Sequence, residues 1–194
     1  MSRTLLVICV FLSACASTPE VPAKGFIPGS VALVSDGSKA TFRAPGLDAS
    51  KLAGASVLRT QMLVKLDDHK RAESLPRELR SNLEQFLGMQ RLPEGTKGAL
   101  VVHSAITGAR PDDPLADLGT NQPQRGQGGY TAVEIYATDG PDGAVVAALR
   151  ETIVSEKLTL DGDAAWARTE RALQFAAMRF AKLVKPGLTF PEDR

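Results

Sequence analysis

The sequence predicts an α+β two-layer sandwich: a mostly antiparallel sheet of about four strands with two helices on one face, in the order β-α-β-β-β-α. Three observations lead there. Apolar residues alternate with period two in four segments and recur with period 3.6 in two others, and the order strand, helix, strand, strand, strand, helix suits two layers. The 194 residues are 43% hydrophobic and 23% charged, the balance of one globular domain with appendages.

The first strand is expected at Val57 to Leu66, with Leu58, Thr60, Met62, Val64 and Leu66 on one face and Arg59, Gln61 and Lys65 on the other. Upstream, Asp36-Gly37 between short apolar stretches allows a small hairpin. A helix follows from about Leu75 to Leu87, with Ser74 as N-cap, Pro76 in the first turn and Gly88 just past the end. Ala99 to Thr107, Tyr130 to Thr138 and Ala144 to about Glu156 read as strands, the last two joined by a turn at Asp139–Gly143. The polar stretch 108–129 reads as a long loop, longer than a compact domain usually spends. A final helix from about Ala164 to Val184, capped by Asp161 or Asp163, buries a stripe through Trp166, Leu173, Ala177 and Phe180.

Charge and cysteine content narrow the function. Formal net charge is +1, and without Arg3 there are 22 basic and 22 acidic residues. A neutral body excludes a strongly basic nucleic-acid binder. Both cysteines lie in the first fifteen residues, which excludes a disulfide framework and a cysteine zinc site.

The N-terminus carries the sharpest motif. Arg3 precedes an apolar run, Leu5 to Leu12, that is far shorter than the ~20 residues needed to span a bilayer but suits a secretory signal. Leu12-Ser13-Ala14-Cys15 resembles the lipobox of bacterial lipoproteins. That resemblance implies cleavage before Cys15, a diacylglycerol thioether on its sulfur and a third acyl chain on its amine. Two chains already hold a protein stably to a bilayer. Ala16 in the following position implies, in the same family, sorting to the periplasmic face of the outer membrane. The division is then a signal peptide at 1–14, a tether at 15–29 with three prolines, a single domain at 30–188 and a tail at 189–194.

The body also resembles a proteobacterial lipoprotein family, the domain of unknown function 3313. Arg43-Ala44-Pro45-Gly46-Leu47 leading into a strand, Ala99 to Thr107, Gly128-Gly129-Tyr130-Thr131 with the turn at Asp139-Gly140, and an early tryptophan in the last helix carry the resemblance. Leu52 departs from it, where the family more often has tyrosine. The family brings no activity. Its outline is also similar to auxiliary lipoproteins of envelope lipid-transport systems.

No arrangement points to catalysis or a cofactor. No Gly-x-Ser-x-Gly elbow exists, His69 sits in a polar connection, and His103 lies in a strand opposite Leu100 and Val102. Asp112, Asp113 and Asp117 lack calcium-loop spacing and read as turn residues. No metal ligand set is expected. Arg168, Arg171, Arg179 and Lys182 with Phe175 form a basic helix face, read first as solvated. The candidate binding surface is Tyr130, Glu134 and Tyr136, which alternation places together opposite Val133 and Ile135. The expected function is a non-enzymatic interaction module of the cell envelope, with a membrane as one partner and an envelope protein or a lipid as the other; the alternative is an auxiliary lipoprotein of lipid transport.

Overall fold

A computed structural model of the chain describes residues 25–111, 129–154 and 162–190, with side chains of the last segment described from Trp166 onward. Cys15, the three aspartates near residue 112 and most of the expected long loop lie outside these residues.

Seven strands form one mixed sheet: β1 (Val34–Asp36), β2 (Lys39–Arg43), β3 (Gly54–Val57), β4 (Gln61–Met62), β5 (Ala99–Arg110), β6 (Tyr130–Asp139) and β7 (Val145–Val154). Their order is β1-β2-β7-β6-β5-β3, with β4 also paired to β5. The fold is α+β, but the expected sheet of about four strands, mostly antiparallel, is corrected on two counts. The β1–β2 hairpin is real and extends the sheet beyond β7, turning at Gly37, whose φ of 60° favours glycine. The single strand expected over 57–66 is two short ones, both parallel to β5. They interrupt each other at residues 58–60, where Thr60 turns inward to hydrogen-bond Ser104 at 2.7 Å. A parallel neighbour requires a crossover, and α1 (His69–Leu87) supplies it.

Helix α1 starts six residues before the expected Leu75. Asp68 is its N-cap, its Oδ1 accepting from Arg71 N–H at 3.1 Å, so Pro76 lies one turn further in than a first-turn proline would. Its C-terminus is as expected, with Gly88 at φ 54°. Leu75, Leu79, Leu83 and Leu87 are all buried, one stripe at four-residue spacing. Helix α2 (Gly162–Val184) runs alongside α1 and buries Leu173, Ala177, Phe180 and Val184. Both stripes join one apolar cluster with Leu100, Val102, Ile106, Val133, Ile135 and Leu149 from the three central strands. At roughly 2–5 kcal/mol per buried leucine truncated to alanine, this cluster holds the two layers together. Among the described residues no helix covers the opposite face of the sheet, and there Ile27 is buried against it.

Candidate functional site

On the helix-free face, β5, β6 and β7 align His103 with Tyr136 and Ala148, and Ala105 with Glu134 and Arg150. Tyr136 stacks on His103, centroids 4.4 Å apart and planes 7° from parallel, and Phe26 packs on Tyr136 at 5.3 Å. Burial pushes the Tyr136 phenol above its ordinary pKa. Burial also lowers the His103 pKa, with Glu94 opposing.

Glu134 sits at the centre and is only 1% exposed. A carboxylate in that position needs partners. Oε1 accepts from Arg150 Nε at 2.9 Å, and Oε2 accepts from the backbone N–H of Ile27 at 2.8 Å. Residues 25–27 thus form a strap across the sheet, clamped by a buried charge. A Cβ at Gly25 would run into the Arg150 guanidinium and stand 2.8 Å from either Glu134 carboxylate oxygen, so that pair would have to shift to admit it.

Of the three residues marked by alternation, all lie on one face, but they are not one open surface. Glu134 is internal and occupied by the chain's own strap, while Tyr136 belongs to the aromatic ladder beside it. Tyr130 lies further along, over Gly108, where a Cβ would be 3.2 Å from its hydroxyl, and under the Arg110 guanidinium at 5.3 Å. The strap residues and Arg150 escaped the sequence reading. A glycine-aromatic-isoleucine run between prolines was the only signal available.

Elsewhere, His69 opens α1 on the surface, remote in sequence and strand from His103. Among the described residues no group of three histidine, cysteine or acidic side chains could hold a metal, and no helix is long and apolar enough to cross a membrane. On α2, Arg179 pairs with Glu151 and lies 6.0 Å from the Phe175 centroid, and Lys182 lies 5.4 Å from that of Phe190. Glu151 is buried, with Oε2 unpartnered; burial raises its carboxyl pKa, against the lowering pull of Arg179 and Lys39. A cavity of about 240 Å³ opens between α2 and the ends of β6 and β7, walled by Tyr130, Ile153, Ala172 and Phe175 with Arg168 and Arg171 alongside.

These features define an α+β domain with a helix-covered sheet whose bare face is crossed by the N-terminal strap. The same fold appears in the PelC dodecamer from Paraburkholderia phytofirmans, which superposes with a TM-score of 0.50 at 13% identity over 76% of this chain and 96% of that one. Looser superpositions, at TM-scores of 0.44 and 0.33, relate it to a DUF330 protein from Xanthomonas campestris (13% identity, 73% of this chain and 90% of that one) and to a Caulobacter crescentus chain provisionally described as a lipoprotein (16%, 69% and 86%). No family model matches the chain, so membership of the domain of unknown function 3313 is not confirmed, and no curated protein matches it either.

Proposed function

We propose that the protein is a lipid-anchored module of the bacterial cell envelope, held through Cys15 at the periplasmic face of the outer membrane and acting by binding rather than catalysis. The lipobox-like Leu12-Ser13-Ala14-Cys15 supplies the anchor. The observation that supports the reading best is the strap: the chain emerging from that segment is held at Ile27 by Glu134, itself paired with Arg150, a fixed mount for the folded body. Metabolic labelling with radioactive palmitate tests it. The wild-type protein is expected to be labelled and to float with membranes, and Cys15→Ser to be neither; an unlabelled, freely soluble wild-type protein overturns the reading.

The cavity beside α2 favours a second reading, an auxiliary lipoprotein that handles a lipid. Its wall is largely apolar and two arginines stand beside it, a combination that suits an acyl chain with an anionic head. Native mass spectrometry of the protein released from membranes distinguishes the two: a co-purifying lipid supports transport, and its absence favours the interaction module.

A further inference from the structure

We propose that the free edge of the sheet along β3 and β4 is a docking groove for an extended acidic peptide of a partner protein, which adds to the sheet as a strand beside Arg59. The inference rests on the interaction-module reading and gives its partner a chemistry.

The edge is open where it matters. Among the described residues no strand lies beyond β3 and β4. The chain keeps to β5 in the break between them and past β4, Leu58 N–H donating to Val102 O and Leu63 N–H to Ile106 O, both at 2.9 Å. Among the described residues the outer side is taken at its start, where Ala55 N–H donates to Gln90 O at 2.8 Å and Leu92 N–H donates to Ala55 O at 2.9 Å. That isolated parallel bridge, made by the chain's own Arg91, shows the edge accepting a further stretch of backbone, and beyond it residues 57–62 offer about 20 Å of edge at roughly 3.3 Å per residue, strand at Val57 and again at Gln61–Met62 with the break at 58–60 between. Strand addition to such an edge takes its affinity from main-chain hydrogen bonds and its selectivity from side-chain pockets.

Space and charge set the ligand. Two hollows adjoin along this edge and share Arg59 and Arg80, one of about 900 Å³ toward Ala72 and Pro76 of α1, the other of about 520 Å³ toward Leu92 and Pro93. Four arginines and three glutamates serve the groove, and they do not cancel evenly. Arg77 is matched by Glu73 at 3.4 Å, but Arg80 and Arg91 share one oxygen of Glu84, at 3.0 and 3.2 Å. Arg59 is exposed and, among the described residues, in no ion pair. Glu94 stands at one end. Positive charge is therefore in excess at the middle of the groove, where guanidinium forks suit carboxylates. The opposite edge of the same sheet is a poorer fit for an acidic peptide, because β1 presents Asp36, which already takes Lys39 at 3.4 Å.

The test uses the full chain and a fluorescein-labelled decapeptide of alternating valine and glutamate, followed by anisotropy. Three comparisons accompany it: a valine–lysine peptide, the valine–glutamate peptide N-methylated at every second amide, and the Arg59→Glu and Arg59→Lys variants. The glutamate peptide is expected to bind and the lysine peptide not. N-methylation and Arg59→Glu should each weaken binding at least tenfold, while Arg59→Lys keeps most of it. No binding by the glutamate peptide, equal binding of its N-methylated form, or indifference to Arg59→Glu overturns the proposal. So does self-association abolished by Arg59→Glu, which would make a second copy the occupant. Palmitate labelling is read separately, so failure of the anchor and failure of the groove are distinct results.

Discussion

Replacing Glu134 by alanine removes the acceptor for two donors at once. The Ile27 N–H is left facing an emptied, buried site, and the Arg150 guanidinium loses the carboxylate it is paired with. Breaking a fully buried ion pair costs roughly 3–5 kcal/mol, and an orphaned buried amide roughly 1–3. Arg150 is 33% exposed and can turn to water, so much of the ionic part is recovered by solvation. The expected loss is therefore about 2–3 kcal/mol, or about 5–10 °C in Tm for a domain of this size. Glu134→Gln keeps an acceptor and should cost about half as much. Urea denaturation gives the global value, and hydrogen exchange at Ile27 gives the local one, since that amide should lose its protection. A Glu134→Ala protein within about 0.5 kcal/mol of wild type, with Ile27 still protected, would refute the clamp.

Three further outcomes follow from the same geometry. Gly25→Ala should release the strap without unfolding the body, because the new methyl meets the Glu134 carboxylate; protease cutting near residue 25 should rise while the urea midpoint falls by no more than about 1–2 kcal/mol equivalent. His103 should titrate below the ordinary histidine value of about 6.5, so its neutral state favours folding fully above that value and the contribution fades as pH falls through the lowered pKa; an NMR midpoint at or above 6.5 contradicts this. For Glu151, burial raises the folded pKa above roughly 4.3, so the folded state holds the extra proton and stability declines as pH climbs through the window above that value. Glu151→Gln should gain on wild type over that climb, and parallel pH profiles of the two would exclude the effect.

What the sequence made legible was local. Alternation through Val101, His103, Val133 and Ile135 located β5 and β6, and the leucine stripe with Gly88 located α1 and its end. In the stretch 57–66 the expected facing holds for Met62, Val64 and Leu66, which pack against the core although the ladder ends at Met62, but not at its start, where Val57 and not Leu58 joins the core. The start of α1 is harder to read, because Pro76 is a residue typical of a first turn, whereas Asp68 caps the helix eight residues earlier. The sheet was undercounted because β1 and β4 have three and two residues, too few to display a period. Glu134 was placed on the correct face but read as surface. Its burial depends on Ile27, 107 residues away, and no local pattern encodes that meeting.

The clamp also has a mechanical consequence. A pull on the N-terminal lead is delivered first to Gly25–Ile27 at the middle of a broad face, not to β1 at the margin of the sheet. Load meets the Ile27–Glu134 bond and the Phe26–Tyr136 contact before any ladder bond of β1, so the strap works as a cleat that takes strain ahead of the sheet.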